Sequence, residues 1–132
     1  LILGRLATVI AKEILLGEEI QVVNCEKIII SGKKEKVVAN EKKKRDRKGY
    51  PLKSAKFSRL PDRYMRRTIR GMLPWKNTRG KEAYKRVMCY IGIPEVIANE
   101  KIIVLEKASA KKLPTLKYIT IGEVCKALGG KV

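Results

Sequence analysis

Residues 20–31 read IQVVNCEKIIIS, two short β-branched runs, IQVVN (20–24) and KIIIS (27–31), parted by a polar Asn-Cys-Glu. Runs that are apolar without alternation suit strands covered on both faces, so their neighbours decide the fold. Upstream, from Gly4 to Leu16, Ala7, Ile10, Ala11 and Ile14 recur at i, i+3, i+4 and i+7, one apolar helical face, and Gly17 is placed to end that helix in a left-handed conformation. Downstream, KIIVL (101–105) repeats the strand texture. Near the end, Thr120 and Glu123 spell a T-x-x-E capping box ahead of Ile121, Val124, Cys125 and Leu128, with Gly129-Gly130 closing the helix. Helices alternating with buried strands predict an α/β body with a mainly parallel sheet carrying helices on its faces. At 132 residues the chain is one domain's worth, 1–132, long enough to bury a core without disulfides or metal.

The charge lies elsewhere. Lys and Arg number 31 against 13 Asp and Glu, a net +18, costly through self-repulsion unless a polyanion neutralises it. Residues 41–90 hold 18 of the cations and only 4 of the acids. The surplus is therefore a localised surface rather than a general property of the chain.

That middle opens with EKKKRDRKGYPLKSAKFSRLP (41–61), where like charges, Gly49 and Pro51 leave little to bury and predict an extended basic loop. Tyr50 and Phe57 are interleaved with Lys48, Lys53, Lys56 and Arg59. Stacking on bases and tacking the loop onto the body are both open for these rings. Next, Pro61 and Asp62 suit the first turn of a helix. From there Met65, Ile69, Met72 and Leu73 form one stripe and Arg63, Arg66, Arg67 and Arg70 another. One face is expected on the body and the other against phosphate, which the guanidinium fork matches. Gly71 is expected to admit an adjoining backbone, and Leu-Pro-Trp ends the helix. A second helix is predicted with Thr78 as its N-cap, Tyr84, Val87, Met88 and Ile91 as its stripe, a Glu82–Arg86 pair, and Gly92 and Pro94 as its end. Lys76, Arg79 and Lys81 crowd its beginning, where free amides favour an anion. Trp75, beside Leu73 and Pro74, reads as a core or interface plug rather than a base-stacking platform.

Catalysis has few candidate parts. Histidine is absent, which removes the commonest general base and every His-activated nucleophile. The two aspartates, Asp46 and Asp62, sit among arginines, which keep them ionised. Cys25, Cys89 and Cys125 are far apart with no C-x-x-C pair, so reduced buried thiols are expected and no metal site. Gly32-Lys33-Lys34 lacks the spacing of a phosphate loop, and no dinucleotide fingerprint occurs. No catalytic residue, cofactor or metal is expected. No apolar run approaches the roughly 20 residues that span a bilayer, and the first residues do not read as a charged segment, short apolar region and small-residue cleavage site, so no secretory leader is expected.

LILGRLAT (1–8), VVNCEKIIISGKK (22–34), LPDRYMRRTIRGMLPWKNTRGKEAYKRVMCYIGIP (60–94) and IGEVCKALGG (121–130) resemble the universal large-subunit ribosomal protein family numbered thirteen, in its archaeal and eukaryotic branch. The likeness covers nearly the whole chain. It implies a three-layer α/β/α fold around a four-stranded parallel sheet and a structural role on large-subunit ribosomal RNA during assembly. Localisation would be cytoplasmic, at the ribosome. The partners implied are that RNA and neighbouring large-subunit proteins, with no membrane and no homo-oligomer. Carried onto matching positions, the RNA contacts would be Arg63, Arg66, Arg67, Arg70, Lys76 and Arg79, with Lys42, Lys43, Lys44, Arg45, Arg47 and Lys48 of the basic loop. Lys33, Lys34, Lys53, Lys56 and Arg59 complete the candidate set. Family members begin with a short strand before the LGRLA segment, so a sequence shortened at its start is expected. The long helical C-terminal extension of eukaryotic relatives is absent. Because such relatives are associated with translational silencing, an RNA-binding regulator away from the ribosome is the alternative; an enzyme on nucleotides or RNA is a third class.

Overall fold

The computed structural model describes residues 1–47 and 57–132. Helix α1 (Leu3–Leu16) forms where the apolar period predicts it, with Leu3, Leu6, Ala7, Ile10, Ala11 and Ile14 buried on one face. Its end is set by Gly17 at φ +111°, whose amide reaches the carbonyls of Glu13 and Ile14. A side chain there would be strained. Strands β1 (Ile20–Val22) and β2 (Ile29–Ser31) follow as expected. Between them Asn24 takes a left-handed φ of +52° into a 3₁₀ turn, Cys25–Lys27.

Helix α2 (Lys34–Asp46) departs from the expected loop, since residues 41–46 are its last turns. Glu, Lys and Arg are good helix formers, and Val37 and Val38 pack against the cluster of Ile119, Val124 and Leu128. The basic sequence is thus carried on a helix whose apolar contact lies near its start. The expectations for Lys48, Tyr50, Lys53 and Lys56 fall outside the described residues.

After α3 (Pro61–Gly71) and α4 (Thr78–Lys85), strand β3 (Val87–Cys89) replaces the expected second half of the helix. Val87 and Cys89 are buried while Met88 is 43% exposed, a period of two and not of 3.6. The backbone finds its bonds in β1. Ile20 donates to the Arg86 carbonyl at 2.9 Å and Tyr90 to that of Val22 at 2.8 Å. Strand β4 (Tyr118–Thr120), which the sequence did not signal, leads into α5 (Ile121–Ala127). There the capping box is present as read: the Thr120 side chain accepts from the Glu123 amide at 3.2 Å, and Glu123 accepts from the Thr120 amide at 3.1 Å.

Helix and strand are mixed as an α/β chain requires, but the strands form two pairs rather than one four-stranded sheet. β1 and β3 are parallel, with Val22 opposite Cys89. β2 and β4 are antiparallel, with Ile30 opposite Ile119. Ile2 adds an isolated parallel bridge to Ile29. Residues 101–105, read as a strand, have no ladder partner among the described residues, and Ile103 is 78% exposed. They flank a groove of about 690 Å³ between α1 and β1.

The main core joins the α1 face to Met65, Ile69 and Leu73 of the α3 region, Ala83 of α4, Val87 and Cys89 of β3, and Ile121 and Cys125 of α5. Burying each large aliphatic side chain contributes about 1.5–3 kcal/mol. Among the described residues no helix is long and apolar enough to cross a membrane.

Candidate nucleic-acid interface

Helix α3 starts as its sequence dictates. Leu60, before proline, is extended at ψ 137°, Pro61 occupies the first turn without sacrificing a hydrogen bond, and Asp62 complements the dipole. Pro61, Met65 and Ile69 are buried. Met72 is 41% exposed, so the apolar stripe continues through Leu73 alone. On the other side Arg63, Arg67 and Arg70 are exposed and Arg66 is half-buried. The segregation follows from spacing: positions 63, 66, 67 and 70 are three and four apart and share a face.

The chain then turns tightly, with the Trp75 amide donating to the Leu73 carbonyl at 2.8 Å and that of Asn77 to the Pro74 carbonyl at 3.0 Å. Helix α4 returns across this turn, its N-cap Asn77 one residue earlier than predicted. The close approach expected of Gly71 belongs to Gly80. A Cβ on Gly80 would stand 2.2 Å from the Pro74 oxygen, whereas one on Gly71 would meet nothing within 4 Å. Gly71 ends α3 on an exposed face, so no backbone crosses it.

That approach brings the aromatic side chains under the arginines. The Arg66 guanidinium lies 4.6 Å from the Tyr84 ring centre and that of Arg70 4.2 Å from the Trp75 ring. The two rings meet edge to face at 5.0 Å and 87°. Arg67 covers Phe57 at 4.4 Å. Sequence reading missed these pairs because Tyr84 and Trp75 come from a different helix and turn. Trp75 is half-buried, partly the plug foreseen, and Phe57 has one face occupied by protein.

The carboxylates of this region stand apart from most of that row. Lys34–Glu123 at 3.2 Å and Lys44–Glu41 at 2.8 Å are ion pairs of α2. Arg63, Arg66 and Arg70 form no ion pair with a carboxylate among the described residues. Lys76 and Arg79 are exposed in the turn and the first turn of α4, and Lys81 and Lys85, outside the predicted set, are exposed further along α4. Residues 61–86 carry 9 cations and 2 acids.

The α2 candidates divide. Lys42, Lys43 and Arg47 are exposed, and Lys33 is the exposed N-cap. Lys34 and Lys44 are engaged in the ion pairs above. Arg45 is turned inward, donating to the Leu128 carbonyl at the end of α5, where a cation complements the exposed carbonyls. Arg59 is exposed while its backbone oxygen crosses Gly130, where a Cβ would stand 2.1 Å away. Arg86 likewise caps a foreign helix, donating to the Ile14 carbonyl at 3.0 Å instead of pairing with Glu82. α2 packs on α5 and β4. The structure thus ties the α3 arginines to α4 and its preceding turn through Tyr84 and Trp75 and leaves the cations of α2 on a separate element.

The titratable groups serve packing. Cys25, Cys89 and Cys125 are free and buried, as expected. The Cys89 thiol hydrogen-bonds Cys25, holding Cys25 below the usual thiol range and Cys89 above it. Desolvation, with Asp62 and Glu41 nearby, pushes Cys125 up to about 11. Burial and then Glu41 push Tyr64 up as well. Among the described residues no grouping of acids and cysteines could hold a metal ion. The arrangement offers fixed positive charge and donors in the guanidinium plane, suited to phosphate oxygens.

The family model "Ribosomal protein L13" matches residues 1–96 of this chain. The chain is 46% identical over 129 residues to the large ribosomal subunit protein uL13 of Archaeoglobus fulgidus, covering 97% of this chain and 82% of the relative. To the proteins of the same name from Methanopyrus kandleri and Methanocaldococcus jannaschii it is 45% and 44% identical, across 81% and 93% of their lengths.

Proposed function

This chain belongs to the ribosomal protein L13 family, and on that premise we propose that it is a structural constituent of the large ribosomal subunit, bound to large-subunit ribosomal RNA through the α3–α4 cationic face. The observation that carries the reading is the row of Arg63, Arg66, Arg67 and Arg70 on one face of α3, of which Arg63, Arg66 and Arg70 form no ion pair among the described residues. Lys76 and Arg79 join that face, and the exposed cations of α2 provide a second contact. Such groups displace counterions and hold RNA segments at separations their phosphates would otherwise resist. Contacts of this type recognise shape more than sequence. The role is architectural, with no chemical step, at the ribosome in the cytoplasm and beside other large-subunit proteins.

A single mainly parallel four-stranded sheet, the finer architecture of the family, draws support from the parallel β1–β3 pair and the parallel Ile2–Ile29 bridge, with the antiparallel β2–β4 pair against it. No feature of the chain favours the extra-ribosomal alternative.

The test is a salt titration with protein-free large-subunit rRNA. Arg63 and Arg67 are exposed, so R63E/R67E should fold normally while the plot of log affinity against log salt flattens by about 1.5, at about 0.7–0.9 for each phosphate left without its cation. An unchanged slope refutes the placement of RNA on α3. Sedimentation of cell extract separates the rivals, since a free pool bound to messenger RNA would indicate regulation.

A further inference from the structure

The geometry points to Trp75 and Tyr84 as positioning residues that hold Arg70 and Arg66 edge-outward for RNA phosphates, not as platforms on which RNA bases stack. The inference rests on the RNA-binding reading above and assigns to these rings a role in that same site.

The four side chains form one continuous array. Arg66 covers Tyr84, Tyr84 meets Trp75 edge to face, and Trp75 is covered by Arg70, at 4.6, 5.0 and 4.2 Å in turn. A guanidinium carries all its N–H donors in its own plane. Laid flat on a ring, it satisfies its face by cation–π attraction and keeps those donors free at its rim. The ring gives up its own face in exchange. Trp75 presents one face to Arg70 and is met by Tyr84 at 87°, and Tyr84 is half-buried against the main core. On the face each arginine covers, a base would have to evict that arginine to stack, and the charge that draws RNA in would be displaced.

The array is also held from beneath. Trp75 lies in a turn closed by the 2.8 and 3.0 Å hydrogen bonds, with Gly80 of α4 against the Pro74 carbonyl. The Arg66 Nε is buried and has no hydrogen-bond partner among the described residues, which leaves the terminal nitrogens as that side chain's outward donors. Arginine ordinarily loses much rotamer freedom on binding. Here the rings have restricted it beforehand, the preorganisation that strengthens binding without adding a contact.

Trp75 is the only tryptophan in the chain, so fluorescence excited beyond the tyrosine absorption band reports on it alone. Full-length protein is titrated with protein-free large-subunit rRNA. At saturation Trp75 emission should keep most of its intensity, because no base is stacked on the ring. In parallel, W75L should weaken binding about three- to tenfold in the wild-type background and have no further effect in R70Q, with W75F restoring affinity. Emission quenched by more than half, or W75L and R70Q effects that multiply, overturns the inference while leaving the RNA reading intact. Failure of the wild-type chain to bind this RNA overturns the reading itself and the inference with it. Should W75L not fold, the wild-type quenching measurement still decides.

Discussion

Two added methyl groups, one at Gly80 and one at Gly71, should act in opposite directions. An alanine at position 80 would place its Cβ 2.2 Å from the Pro74 oxygen, 2.5 Å from the Pro74 carbonyl carbon and 3.1 Å from the Trp75 nitrogen. All three atoms are backbone, so relief requires moving the turn rather than rotating a side chain. That turn is anchored by the buried Leu73 before it and by its own hydrogen bonds. Overpacking of this kind costs about 1–3 kcal/mol, and breaking a turn hydrogen bond about 1 kcal/mol more. Alanine's better helix propensity offsets about 1 kcal/mol. The expected net loss for G80A is thus about 1–3 kcal/mol. At Gly71 the added Cβ would meet nothing within 4 Å and φ is ordinary, so G71A should be neutral or stabilise by up to about 1 kcal/mol. Urea unfolding followed by circular dichroism measures both, and 1 kcal/mol corresponds to roughly 3–6 °C in Tm for a domain of this size. G80A within about 0.5 kcal/mol of wild type would refute the reasoning, because the α4 approach to the Pro74–Trp75 turn would then not be close-packed. G80A should also weaken RNA binding, since the turn it displaces carries Trp75.

T120A removes the hydroxyl that accepts from the Glu123 amide in the α5 capping box, while the backbone amide at 120 can still donate to the Glu123 carboxylate. The expected loss is about 1 kcal/mol in denaturant unfolding, and no measurable change would show the cap to be idle. Cys125 predicts an alkaline transition. Its thiol is raised from 9.0 to about 11 in the folded chain, so its contribution is fully present below pH 9, the unfolded value, and is lost as pH rises from 9 toward 11. At 1.36 kcal/mol per pKa unit the linkage is at most about 3 kcal/mol. In reducing buffer C125A should flatten the stability curve over that window; an unaltered curve would mean that the thiol does not titrate on unfolding.

Much of the interface was legible in the sequence because it is local. Proline at the first turn of α3, apolar side chains at 65 and 69, and arginines at 63, 66, 67 and 70 are statements about one helix, and 3.6 residues per turn converts them directly into two faces. The α1 stripe, the Gly17 stop and the Thr120–Glu123 box are local in the same sense. The charge surplus of residues 41–90 was likewise a matter of counting.

What the sequence alone did not decide depends on groups far apart in the chain. Tyr84, Val87, Met88 and Ile91 fit a helix by spacing, yet Val87–Cys89 becomes a strand because β1 offers its backbone a ladder. The run at 41–46 is helical because Val37 and Val38 seat α2 on Val124 and Leu128. Arg45 read as an RNA-facing cation and Arg86 as the partner of Glu82, and both instead cap the α5 and α1 ends, since exposed carbonyls at a helix terminus attract whichever donor the fold brings near. Sequence by itself determined which residues share a helical face and where the cations concentrate. Only the tertiary structure decided which of those cations remain outward-facing, because hydrogen-bond and ring partners are chosen by proximity in space, and periodicity carries no information about that.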